Sequence, residues 1–146
     1  MDAIEMLVRD HKDAKRAMEA VVRSQGARKK TLFDALKREL ELHDRLEELV
    51  FYPALHAHSK KASFAVKDQQ AQDSVVASLA QLADLSVDEA DWDPMFRSLQ
   101  DAVQKHAADQ EQLLFVKVRK MMSAAELEDL ADRMKVGPPD PAAPAA

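Results

Sequence analysis

His43-Asp44-Arg45-Leu46-Glu47-Glu48-Leu49-Val50-Phe51-Tyr52-Pro53 is the stretch on which the fold turns. Through and before it, Phe33, Leu36, Leu40, Val50 and Ala54 recur at helical steps of three and four, the stripe of an amphipathic helix. His43 and Glu47 fall on the same stripe, four apart and so stacked on one face. Polar side chains on a core-facing stripe are costly unless they are paired or bind something. The segment therefore predicts a helix with a polar site inside its packing. Thr31 is expected to cap its start and Pro53 to kink or weaken its last turn.

Working outward, a first helix is expected from about Asp2 to Ser24, with Ile4, Leu7, Val8, His11, Met18, Val21 and Val22 on its apolar face and Gly26 as its stop signal. After a connection at Lys60-Lys61, a third helix runs from about Ser63 to Leu85, with Phe64, Asp68, Gln72, Val75, Leu79 and Leu82 on one face. Asp93-Pro94 reads as the start of a fourth, whose stripe is Phe96, Leu99, Val103, His106, Gln110, Leu113 and Lys117. Ser123 and Glu126 form a capping box that opens a short helix ending near Gly137. Residues 1–136 are thus expected to form one all-α domain, an up-down-up-down antiparallel four-helix bundle plus a short C-terminal helix. Residues 137–146 read as a Pro/Ala-rich disordered tail.

Composition agrees. The chain has 146 residues, 47% hydrophobic and 32% charged, with two glycines and few aromatics, which is globular and helix-favouring. A net charge of −5 argues against a general nucleic-acid role. The absence of cysteine excludes disulfides, thiolate metal sites and cysteine nucleophiles. With no visible signal peptide and no stretch of transmembrane length, a cytoplasmic protein without membrane contact is expected.

Each long helix carries polar residues on its core stripe. His11 lies 13 residues before Ser24, His43 lies 12 after Thr31, Gln72 lies 12 before Asp84 and His106 lies 13 after Asp93. At roughly 1.5 Å per residue these offsets put all four helices' polar residues in one layer of an antiparallel bundle. Imidazole and carboxylate at this density favour Fe, Mn or Zn, and a carboxylate one turn from a histidine can bridge two ions. His56 and His58 lie about two turns or more from the layer and read as exposed.

At this point the sequence resembles the hemerythrin-like family with the HHE cation-binding motif. The likeness rests on Asp10-His11 with Lys15, on His43 to Pro53 as a His-x-x-x-Glu-Glu…Phe-Tyr-Pro pattern, on His106 to Phe115, and on the closing segment from Ser123 to Met134. It spans roughly residues 4 to 136. The resemblance implies a bundle whose inward His, Glu and Asp residues hold two non-haem irons, for oxygen binding or for iron, oxygen, nitric-oxide or redox sensing. Carried over position by position, His11, His43, Glu47, His106 and Glu111 are the implied metal ligands, and Asp44 is a further carboxylate candidate.

The third helix departs from the pattern: Asp68 and Gln72 stand where relatives have histidine. Gln110 also stands where many relatives have glutamate. Gln72 and Gln110 are neutral, weak oxygen donors. Two ferrous ions carry four positive charges, and Glu47 and Glu111 supply only two negative ones, so Asp68 and Asp44 matter to the balance. The expectation is an altered site holding iron, as two ions or one, with Mn or Zn as substitutes and O2 or NO as ligands. The alternative is a metal-free helical bundle acting as a regulatory or protein-interaction module. No nucleophile or further acid–base pair is visible, so binding is expected over turnover.

Overall fold

Asp2 and Glu5 set where the fold begins. The Asp2 carboxylate accepts from the Glu5 backbone N–H at 2.8 Å, and the Glu5 carboxylate accepts from the Asp2 N–H at 3.4 Å, a reciprocal cap on α1 (Ala3–Val22). The computed structural model describes residues 1–59 and 63–137, with side chains of the third helix described from Val66 onward. The expected Lys60-Lys61 connection, the Phe64 side chain and the tail from Pro138 lie outside the described residues.

Helix α1 buries Ile4, Leu7, Ala14, Met18 and Val21, the face that its periodicity indicated. The next helix, α2 (Gly26–Leu46), starts five residues before Thr31. Thr31 lies in its interior, with its hydroxyl donating to the Ala27 carbonyl at 3.0 Å. Ala27 to Lys30 are good helix formers, and Lys29 gains a partner by being helical, as its ammonium reaches Asp93 at 2.5 Å. Gly26, with φ +59°, sits at the turn itself and not merely after α1.

The second rod does not break at Pro53. A π-helical turn, Glu47–Phe51, leads into α3 (Tyr52–His58), and the Tyr52 N–H bonds five residues back to the Glu47 carbonyl. The wider turn resets the hydrogen-bond register just before the proline, which needs no partner for a missing N–H at the second position of a new helical segment.

Helix α4 (Ser63–Ala83) presents Val75, Leu79 and Leu82 to the core. Helix α5 (Trp92–Asp109) starts two residues earlier than the expected first helical residue, Pro94; Asp93 is engaged by Lys29 instead of acting as a cap. A second π-helical turn, Gln110–Leu114, continues into α6 (Phe115–Met121). The capping box of Ser123 and Glu126 opens α7 (Ala124–Val136) as expected, and Gly137 closes it at φ +90°.

Helix α1 packs on α2, α4 packs on α5, and α2–α4 and α1–α5 contacts close the ring, while α7 lies against α1 and the first π-helical turn. This is the expected antiparallel four-helix bundle with a short C-terminal helix; the described residues contain no strand. The apolar core forms two clusters. One gathers Leu7, Phe51, Leu55, Phe115, Val118 and Leu130 at the α7 end. The other gathers Met18, Phe33, Leu79, Trp92, Phe96 and Leu99 at the opposite end. The polar residues lie between them. No helix among the described residues is long and apolar enough to cross a membrane.

Candidate metal centre

Helix α1 supplies His11, and the end of α2 supplies His43 with Glu47 one turn later. Nitrogen or oxygen atoms of these three side chains all lie within 4.8 Å of one another. The imidazole centroids of His11 and His43 are 5.5 Å apart, and His11 is stacked on Phe115 at 5.9 Å. Phe115 thereby fixes the plane of His11, and Asp10 fixes that of His43 by accepting at 3.4 Å from Nδ1. That carboxylate contact leaves the His43 Nε2 turned inward against Glu47.

Glu47 is fully buried. Its Oε2 accepts from Gln110 Nε2 at 2.6 Å. Its Oε1 lies in contact with His43 Nε2 but makes no hydrogen bond of good geometry. Gln110, from the second π-helical turn, is equally buried. Its Nε2 also donates to Asp68 Oδ2 at 2.7 Å, and its Oε1 meets His11 Nε2 at 2.8 Å. His106 places Nδ1 3.5 Å from Asp68 Oδ1, while its Nε2 is buried without a hydrogen-bond partner among the described residues. Tyr52 donates its hydroxyl to Asp68, and Gln72 Nε2 reaches the same hydroxyl at 3.5 Å.

The layer thus joins residues from all four rods, although the offset of His43 is counted from Thr31, which lies five residues inside its helix. Glu111 sits at its edge, 39% exposed, with Oε2 3.2 Å from His11 Nδ1. Gln72 touches the network only through Tyr52. Asp44 is buried on the side facing Asp73 and Glu48, and its Oδ1 has no hydrogen-bond partner among the described residues. His56 is exposed, and His58 pairs with Glu126 at 2.9 Å, far from the layer.

Electrostatics follows the packing. Burial presses the His43 imidazolium down, but the Glu47 and Asp10 carboxylates outweigh it and hold the group up at about 10. Burial likewise raises Glu47, and the charge of His43 overrides it and takes the carboxyl to about 2. His11 goes the other way: burial and the neighbouring His43 charge lower it. Burial and the Glu47 charge raise Asp68. Burial, with Asp73 and Glu48 nearby, pushes Asp44 up to about 6.

The donor set fits a divalent cation. Two imidazole nitrogens and a carboxylate oxygen converge on one small volume, and His106 Nε2 is a buried polar atom with no hydrogen-bond partner among the described residues. Two open clefts border the layer, one of about 390 Å³ beside Asp10 and His43 and one of about 570 Å³ beside Asp68 and His106.

Three features were not read from sequence as parts of the site. Asp10 orients His43, Tyr52 anchors Asp68, and both π-helical turns lie at the layer. Asp10 and Tyr52 stood in plain view, beside His11 and inside the Phe-Tyr-Pro run, but nothing local distinguishes a layer tyrosine from a core one.

The sequence pattern of the Hemerythrin HHE cation binding domain matches residues 2–118. Among solved structures, a hemerythrin HHE cation binding domain-containing protein from Mycobacterium kansasii superposes with a TM-score of 0.82 at 24% identity, over 93% of this chain and 84% of that one. At that identity the likeness speaks for the fold. No curated protein is similar enough to match.

Proposed function

Because the chain belongs to the hemerythrin HHE cation-binding domain family, we propose that its polar layer holds non-haem iron and serves oxygen, nitric-oxide or redox sensing, or iron handling. His11, His43 and Glu47 form the primary ligand set, and His106 and Glu111 are the further ligands. The observation that carries this reading is the convergence of three donor atoms within 4.8 Å of one another in the polar layer. Iron, when bound, supplies a redox couple and an open coordination position for a diatomic. The chain's own residues orient the imidazoles through Asp10 and Phe115, and keep bulk water from Glu47.

Metal content of protein purified from iron-replete cells, together with anaerobic ferrous titration of the metal-free chain, tests this reading. Close to one equivalent or more of iron supports it. Less than a tenth of an equivalent of any transition metal, with no uptake on titration, overturns it.

One observation favours a second reading, a metal-free regulatory bundle. Gln110 already links His11, Glu47 and Asp68 by three bonds of 2.6–2.8 Å without any ion. Under that reading His43→Ala lowers thermal stability equally with and without added metal.

A further inference from the structure

Among the described residues, one group of side chains in the polar layer converges closely enough to hold a cation, and a second position would have to be assembled from donors that converge less. The first is bounded by His11, His43 and Glu47. The second would have to draw on His106, Asp68 and the far oxygen of Glu47. Both carboxylate oxygens that would serve that second position, Glu47 Oε2 and Asp68 Oδ2, accept from the Gln110 amide nitrogen, at 2.6 and 2.7 Å, and Asp68 Oδ2 also accepts from the Tyr52 hydroxyl.

The orientation of this amide is fixed by its surroundings. Reversed, its oxygen would face two carboxylates at contact distance inside a dry core, which is strongly unfavourable. The two N–H bonds therefore point between Glu47 and Asp68, where a bridging cation's charge would otherwise lie. Gln110 has no exposed surface and stands at the first residue of a π-helical turn, so it cannot swing out without disturbing that turn.

Resting on the metal-binding reading above, we infer that Gln110 is the residue that sets the number of ions: its amide occupies the second seat, and the chain holds one divalent cation, at His11, His43 and Glu47. The amide acts as a neutral stand-in, satisfying Glu47 and Asp68 without adding charge. A second divalent ion placed there would meet the positive end of the amide dipole and would lack one of the anionic oxygens it needs. Glutamate at the same position reverses both effects, because it repels Glu47 and Asp68 until a cation bridges them.

The test is anaerobic titration of full-length, metal-free protein with ferrous ion alone and with cobaltous ion alone. Bound metal is counted after desalting, and magnetic coupling between ions is read by electron paramagnetic resonance. The wild-type chain is expected to retain one equivalent with the uncoupled spectrum of an isolated ion. Gln110→Glu is expected to retain two, with the isolated-ion signal lost through coupling. Two equivalents in the wild type overturn the inference while leaving the metal-binding reading intact, and this arm needs no variant to fold. A Gln110→Glu protein with wild-type circular dichroism that still holds one equivalent also overturns it. No bound ion in either protein overturns the metal-binding reading and the inference together.

Discussion

Glu47 Oε2 lies 2.6 Å from Gln110 Nε2, and each residue is the first of a π-helical turn. The two widened turns thus meet at their opening residues across the bundle. A π-helical turn adds a residue to a helix without ending it, and it turns the following side chains relative to the preceding ones. Here the turns carry a buried carboxylate and a buried amide toward each other while the apolar stripe resumes at Phe51 and Leu114.

Removing Glu47 should be the most damaging single change in the layer. Glu47→Ala leaves the buried, charged His43 facing Gln110 with no acid between them, and loss of one partner of a buried pair costs about 3–5 kcal/mol. Glu47→Gln keeps the shape and a hydrogen-bonding oxygen and should cost clearly less. Urea denaturation of the metal-free proteins measures both, and equal losses would show that the charge, which both variants remove, carries the whole effect and that the shape and hydrogen bonds kept by Gln contribute nothing.

Cation binding should stabilise the bundle by mass action. At a free ferrous concentration 100 times the dissociation constant, the gain is about 2.7 kcal/mol. Anaerobic thermal melts with and without ferrous ion should therefore separate in the wild type. His11→Ala and His43→Ala should melt at the same temperature with or without it. An unchanged ferrous shift in both variants would place the ion elsewhere.

How much of this was written in the sequence depends on range. The caps of α7 and the stripes of α1 and α4 were legible, because they depend on residues three and four apart. Membership of the polar layer was also legible, because each polar residue interrupts an apolar stripe, although the count that sets the level of His43 begins at Thr31, inside its helix. The π-helical turns were not, since an added residue in a turn leaves no trace in composition. Thr31 misled for the converse reason: its capping propensity is real, but Lys29 binding to Asp93, 64 positions away, extends the helix back past it. The bonds of Gln110 to Glu47 and Asp68 likewise join distant positions that no local pattern relates.

At the far end of the bundle, Lys29 is 7% exposed, reaches Asp93 and lies 5.3 Å from the centroid of the Trp92 ring, which is fully buried and stacked on Phe96 at 5.1 Å. The packing should outweigh the ion pair. Trp92→Ala should cost about 3–5 kcal/mol. Lys29→Met should cost about 1 kcal/mol or less, because its stem volume is kept and Asp93, 60% exposed, returns to water. Chemical denaturation of both variants checks the ranking, and a larger loss for Lys29→Met would reverse it.

Acid sensitivity should map partly to the N-terminus. Burial is the largest single influence on Asp2 and raises it, but the Glu5 N–H and the Arg119 guanidinium at 3.0 Å together outweigh it and lower the carboxyl below its ordinary 3.8. A depressed carboxylate contributes stability that is present above the unfolded value and lost as pH falls through the folded one. Asp2→Asn retains a capping oxygen but should remove this contribution, so its stability deficit should be present near neutrality and shrink below about pH 4. Denaturation midpoints measured from pH 7 to pH 2.5 test it, and a deficit that is constant throughout would exclude a charge effect.

The two apolar clusters are separate, one around Phe51 and Phe115 and the other around Trp92 and Phe96. The first meets the layer through Phe115, stacked on His11, and through Tyr52, whose hydroxyl donates to Asp68. The bundle is thus a scaffold in which one polar stratum is set between two apolar halves that hold the rods together.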